Sequence, residues 1–368
     1  MQSADLREAK RYAAFRHNLA IFEICFTLVF LAMVYFSGIS LKFKLFAEAV
    51  NSSQVVIVAV YACLLAIFYD LLTFWLDYAS GFWLEHKFNL SCQNFSSWLK
   101  DYFKKMLIGG VFGLIIIEAL YFLMREFPRA WWALASFFWI LFSLLFARIF
   151  PVFIIPLFYK LEQLKDESLR NKLINLAKSA GIKILDVYTI GLGQKTKKAN
   201  AALAGVGSSK RILLSDTLLS NYSQDEIEVT LAHELAHYKY RHFWKLIALS
   251  LFNTILTFFI VFLVYNNALA GTAKVPVYDV VLFPILFFIF TCLNVIYTPL
   301  ENAASRYLET QADKEAITLT QKPAAFISLM EKLSRQNLSD PAPSKLVEIF
   351  FYNHPPADKR IKIAKNKA

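Results

Sequence analysis

The stretch LAHELAHYKYRH, residues 231–242, sets His233 and His237 four residues apart around Glu234. On a helix, residues i and i+4 share a face with Cβ atoms about 5–6 Å apart, so the two imidazoles can hold one metal ion between them. Zinc takes imidazole nitrogen at about 2.0–2.1 Å in a four-ligand shell, and a shell that leaves one position to water is a reactive one. Glu234, beside the first histidine, is placed to take a proton from such a water, the arrangement of H-E-x-x-H peptidases. The alternative is a pair of surface histidines on an amphipathic helix, and a third ligand decides between them. The candidates are His242 and a carboxylate of ENAASRYLETQAD, residues 301–313, where Glu309 and Asp313 stand four apart on one helical face.

The elements that must position these residues are apolar. Of 368 residues, 57% are hydrophobic, with 35 Phe, 17 Tyr and 7 Trp, beyond what a water-soluble domain carries. Crossing a bilayer takes about 20 apolar residues per helix. Six segments qualify: 20–41, 54–76, 106–124, 131–158, 246–266 and 279–299. Lys and Arg crowd alternate connections, with fourteen in 159–245 against one in 267–278. This bias puts both termini and the 159–245 segment on the cytoplasmic side, and it absorbs most of the +11 net charge without nucleic acid. The first span is too long for a signal-peptide core, so it reads as uncleaved. Pro151 and Pro156 predict a kink or an interfacial end to the fourth span. Glu23, Asp70, Glu118 and Arg148 fall inside spans, where such residues pair, snorkel or face a wet chamber. Cys25, Cys63, Cys92 and Cys292 share no C-x-x-C spacing and lie in or near apolar segments, which suggests neither a disulfide framework nor a thiolate zinc site, and they read as packing residues.

The fold class is therefore mainly α: a polytopic transmembrane protein of about six spans with a cytoplasmic, zincin-like α+β peptidase region. Four divisions follow. Residues 1–158 hold four spans, 159–245 the peptidase segment, 246–299 a transmembrane hairpin, and 300–368 the third ligand. Within 159–245, Asp166 and Gly181 bracket an amphipathic helix. The run KILDVYTI, 183–190, reads as a strand, and two apolar runs flanking Gly207, Ser208, Ser209 and Lys210 read as a small β-hairpin. Ser223 and Glu226 have capping-box spacing at the head of the H-E-x-x-H helix. His237 lies nine residues before Leu246, and Glu309 nine after Leu300, each about 13–14 Å beyond its span if helical. The hairpin of spans five and six therefore brings Glu309 to the histidine pair. Pro299 is expected to bend the exit of the sixth span. Asp313 then orients an imidazole through its other nitrogen. His242, five residues past His237, falls off the ligand face and reads as interfacial or substrate-side. The KTKK run at 195–198 reads as a solvated loop or a lipid-headgroup contact, and His17 and His86 have no companions.

HELAHYKYRH, the ETQAD run at 309–313, EHKFNLS at 85–91, NAALAG from Asn200 and NHPPADKR at 353–360 together resemble the type I CAAX prenyl proteases, integral-membrane zinc metallopeptidases. The resemblance covers nearly the whole chain in the right order. It implies one Zn2+ held by His233, His237 and Glu309, with Glu234 as the catalytic glutamate and Asp313 supporting the ligands. It also implies that Asn200 contacts substrate, and that His354 and Arg360 are the histidine and arginine of the H-P-P segment. Family members enclose the zinc in a large water-filled chamber of seven transmembrane helices. This chain shows six spans, as though it began at the family's second helix. In these roles, His354 or Arg360 would stabilise the oxyanion of an attacked peptide carbonyl, and Asn200 would hold the substrate backbone as an added strand. By its residues alone, His354 is a turn residue before Pro355 and Pro356.

The expected activity is a membrane zinc metalloendopeptidase of gluzincin type, acting on peptide or membrane-protein substrates that include prenylated C-termini. Its expected setting is a bacterial inner membrane or the endoplasmic reticulum, with catalytic residues opening to the cytoplasm. The alternative is a bacterial membrane quality-control zinc protease. More distant are a zinc-dependent transporter or channel, which has no use for a base at Glu234, and an inactive scaffold, which would have lost a ligand or that base.

Overall fold

A computed structural model of the chain describes residues 3–204, 210–266 and 275–367. Backbone in lipid has to satisfy its own hydrogen bonds, and the apolar runs accordingly form helices. Helix α1 spans Ser3–Phe36. A turn at Gly38, with φ 78°, leads into α2, Ile39–Val50; only glycine adopts that backbone without strain. Helix α3, Gln54–Tyr78, runs through a π-helical turn, Ala79–Trp83, into α4, Leu84–Lys87. Asn94 caps α5, Phe95–Glu126, by accepting the Ser97 N–H at 2.8 Å. Helix α6, Trp131–Ile149, gives way to a π-helical turn, Phe150–Ile154, and to α7, Ile155–Phe158.

The polar region then builds a small sheet. Strand β1, Leu161–Gln163, precedes α8, Glu167–Ser179, whose N-terminus Asp166 caps. Strands β2, Asp186–Ile190, β3, Ala201–Ala204, and β4, Arg211–Ser215, complete it in the order β1-β2-β4-β3. The β3–β4 pair is antiparallel, as the expected hairpin requires. Its turn residues Gly207, Ser208 and Ser209 lie outside the described residues. Strand β2 joins β4 in parallel and β1 antiparallel. Helix α9, Asp216–Asn221, leads to α10, Gln224–Lys239, which opens on the full capping box of Ser223 and Glu226. Leu173, Leu214, Leu231 and Phe326 are almost fully buried between this sheet and its helices, each worth about 1.5–3 kcal/mol on burial.

Helix α11, His242–Val264, crosses back, and a 3-10 turn, Val280–Leu282, leads into α12, Phe283–Thr320. Helices α13, Pro323–Gln336, α14, Lys345–Phe351, and α15, Ala357–Lys365, close the chain. Among the described residues, five helices are long and apolar enough to span a membrane: α1, α3 continued to Lys87, α5, α11, and α12 with the turn before it. The expected span 131–158 is helical throughout but is not one regular α-helix. Helix α6 passes into the π-helical turn holding Pro151 and then into α7, which holds Pro156, at the place where the sequence predicts a kink or an interfacial end. Prolines lack the N–H that a continuous helix needs. Pro299, by contrast, is carried inside α12 without ending it.

Two other expectations change. The KTKK run is not free in solvent. Lys195 donates to Asp101 of α5 at 2.5 Å, and Lys198 donates to Glu85 of α4 at 2.9 Å and to the Tyr12 hydroxyl of α1 at 2.8 Å. Lys197 N–H also bonds to the Leu90 carbonyl. This clasp fixes the segment that enters β3 against the membrane helices. The cysteines form no disulfide, and Cys25, Cys63 and Cys92 are exposed rather than packed inside. Of the ionisable span residues, Glu118 has a buried Oε1 without a hydrogen-bond partner, and the Arg148 side chain lies outside the described residues.

Candidate metal centre

Helix α10 packs along α12, and that contact assembles the site. His233 Nε2 and His237 Nε2 lie 3.1 Å apart. Glu309 of α12 places Oε2 3.1 Å from His233 Nε2 and Oε1 3.2 Å from His237 Nε2. Bonds of about 2.0–2.1 Å to a tetrahedral ion put neighbouring ligand atoms about 3.3 Å apart, so these spacings are those of a ligand shell. Glu309 Oε2 is buried without a hydrogen-bond partner, a costly position for a carboxylate oxygen unless a cation compensates it.

The outer nitrogens confirm which atoms face inward. Asp313 is fully buried and its Oδ1 lies 2.9 Å from His233 Nδ1. A carboxylate only accepts, so Nδ1 carries the proton and the Nε2 lone pair faces the cluster. Arg360 of α15 holds Asp313 from behind, Nε donating to Oδ2 at 2.8 Å and Nη2 to Oδ1 at 2.5 Å. Burial works against charge on both His233 and Arg360. Even so, the Asp313 and Glu309 carboxylates push His233 up to about 9, and Asp313 holds Arg360 above its usual range. The field of the cluster favours positive charge at the place where a metal would sit, and the donor set fits a divalent cation.

His242 is not among the clustered ligands, but it holds a role behind them that its place in the sequence does not show. Arg241 takes a left-handed backbone, φ 54°, and breaks the helix between α10 and α11. The expectation of one helix running from the histidine pair into span five is therefore corrected, and so is the interfacial reading of His242. The break folds His242, only 1% exposed, back under His237. Their Nδ1 atoms lie 2.9 Å apart, and His242 Nε2 lies 3.0 Å from Gln311 Oε1. Gln311 Oε1 only accepts, so His242 donates from Nε2 and accepts at Nδ1 from His237. His237 Nε2 is thereby left unprotonated toward the cluster. No glycine marks the break, and no spacing in the sequence signals it.

Glu234 sits on the same helix between the two imidazoles. Burial raises its carboxyl above the usual range, the neighbouring histidines oppose that rise, and the Leu203 backbone of β3 hydrogen-bonds to it. His354 stands at the rim, half-exposed, with Nε2 3.4 Å from Glu309 Oε1, and its Nδ1 donates to Asn353 Oδ1 at 2.8 Å.

 The structure thus brings His233, Glu234, His237, Glu309, Asp313, His354 and Arg360 together. Arg360 spends Nε and Nη2 on Asp313, behind the ligands rather than in front of them. Asn200 stands apart at the head of β3, exposed, its Oδ1 accepting the Ala201 N–H at 2.9 Å. With Ala201 and Ala202 it lines a cavity of about 1150 Å³ that reaches Trp98 and Tyr102 of α5.

Residues 163–368 match the family described as Peptidase family M48, and residues 1–160 match CAAX prenyl protease N-terminal, five membrane helices. The chain is 29% identical over 371 residues to the uncharacterized metalloprotease YhfN of Bacillus subtilis, covering 100% of this chain and 87% of that protein. It is 30% identical over 307 residues to CAAX prenyl protease 1 of Saccharomyces cerevisiae, covering 78% and 67%. The crystal structure of S. mikatae Ste24p superposes with a TM-score of 0.89 at 23% identity, over 99% of this chain and 90% of that one, and so shares its fold.

Proposed function

The chain belongs to peptidase family M48 and is a multi-pass integral-membrane metalloprotease, and we propose that it cuts peptide bonds of membrane-associated substrates using one zinc ion held by His233, His237 and Glu309. The observation that carries this reading is the convergence of His233, His237 and Glu309, their imidazole nitrogens and carboxylate oxygens 3.1–3.2 Å apart, beside the half-buried Glu234. When bound, zinc supplies a Lewis acid that polarises a carbonyl and makes water acidic near neutral pH.

The side chains do the rest. Glu234 takes the proton of the attacking water and returns it to the leaving amine. Its bond from Leu203 sets that carboxylate beside β3, an outer strand of the sheet. A peptide laid along β3 gains backbone hydrogen bonds, with Asn200 at the head of the strand as a further anchor. His354, at the rim, stabilises charge developing on the carbonyl oxygen. Arg360 acts through Asp313, keeping the His233 imidazole in register. The excess of Lys and Arg in 159–245 supports a centre that opens to the cytoplasmic side.

The named prenyl proteases among the relatives support C-terminal peptides bearing a prenyl group as the substrate class. They favour neither the quality-control protease nor the transporter. Purified protein incubated with matched prenylated and unprenylated peptides, with and without a chelator, tests the reading. Cleavage abolished by the chelator and restored by zinc is expected, with the prenylated peptide preferred. Absence of cleavage of both peptides by the zinc-loaded protein refutes the proposal.

A further inference from the structure

Helix α14 is built the wrong way round for a helix in water. Leu346, Ile349 and Phe350 share one face at i, i+3 and i+4 spacing, and that face points outward, with Leu346 71% exposed. The polar face points inward, where Glu348 accepts two bonds from Lys359 at 2.7 Å. A surface helix in water turns its apolar stripe toward the core, and an outward stripe marks a contact with something apolar.

The position of α14 identifies that contact. Asn302 Nδ2 donates to the Phe350 carbonyl at 2.8 Å, and Arg306 Nη1 to the carbonyls of Glu348 at 2.9 Å and Tyr352 at 2.6 Å. Both donors lie on α12. A helix needs about 20 residues to cross the hydrocarbon core, and counting from Phe283 that ends near Asn302. On α12, Ile296, Leu300 and Tyr307 are exposed along one stripe, Tyr307 to 72%. The outward faces of α12 and α14 are therefore neighbours at the level where hydrocarbon meets headgroup. Tyrosine and tryptophan favour that level, and the exposed Lys345 suits anionic headgroups there.

We propose that α14 lies in the bilayer interface, with Leu346, Ile349 and Phe350 buried among the acyl chains of the leaflet nearest the metal centre. The lipid surface is the partner. His354 follows α14 by three residues, so the interface anchors the segment that carries it. This inference goes beyond the proposed activity and does not depend on which bond is cut.

The test uses the full chain in phosphatidylcholine vesicles containing a phosphatidylcholine with a photoactivatable diazirine in its acyl chain. After irradiation, mass spectrometry maps the lipid adducts. Adducts on 346–350 as well as on Ile296 and Leu300, with none on Ala357–Lys365, are expected. Hydroxyl-radical footprinting in the same vesicles gives the complementary reading, with Leu346 and Phe350 protected relative to Ala357–Lys365. Adducts confined to the spans, or strong oxidation of Leu346 in vesicles, overturn the proposal and turn the stripe toward water or a protein partner.

Discussion

Replacing His242 by Phe isolates one link of the centre. The substitution fills the same buried space but cannot accept the proton that His237 Nδ1 presents at 2.9 Å. A buried donor left unpaired costs about 1–3 kcal/mol. Removing a partner behind a metal-bound histidine lowers metal affinity about 10–100-fold, which is about 1.4–2.8 kcal/mol at 1.4 kcal/mol per tenfold. The two estimates agree. His237 has a side chain 26% exposed, so water can partly replace the lost acceptor, and the lower end, about tenfold, is expected. Zinc affinity is read by competition against a chelator of known strength. Activity should return when zinc is raised to saturation, and His242→Gln, which restores an acceptor, should recover part of the affinity. Unchanged zinc affinity in His242→Phe refutes the assigned tautomer and the link itself.

Other outcomes follow from the same geometry. Glu234→Gln should keep its zinc and lose peptide hydrolysis by several orders of magnitude, whereas Glu309→Ala should lower zinc stoichiometry measured by elemental analysis; full metal content there would return His242 to candidacy as a ligand. Arg360→Met strands the fully buried Asp313 carboxylate, and breaking such a pair costs about 3–5 kcal/mol, readable as a lowered thermal midpoint that Arg360→Lys partly restores. Arg170 beside Asp186 holds that carboxyl down to about 2. The folded value lies below the unfolded one, so this stability is present above about pH 4 and lost as pH falls from about 4 toward 2. Asp186→Asn should flatten that acid limb in a melt recorded against pH.

The metal centre was legible where chemistry and spacing coincide. The i, i+4 pair His233 and His237, and the matching pair Glu309 and Asp313, each needed only a helix to share a face, and both helices formed. His242 was not legible, because its role depends on a left-handed turn at Arg241 that ordinary residues make without any sequence mark. The KTKK run misled for a different reason. Local composition reads as solvated, but the partners of Lys195 and Lys198 are Asp101 and Glu85, about a hundred residues away, and pairing at that separation leaves no local pattern. The fourth apolar run carried its own signal: Pro151 and Pro156 remove backbone donors, and the regular α-helix gives way to a π-helical turn there.

Helix α12 joins the bilayer to the reaction in a single rod. From Phe283 to Glu309 it is about 39 Å long. A tilt of one degree about its Phe283 end swings Glu309 sideways by about 0.7 Å, more than the roughly 0.2 Å that a metal bond tolerates. Changes in bilayer thickness tilt such helices, so α10 has to travel with α12 as one body if the centre is to keep its shape. Membranes of different thickness thus become a mechanical variable for this enzyme, felt through the orientation of one long lever.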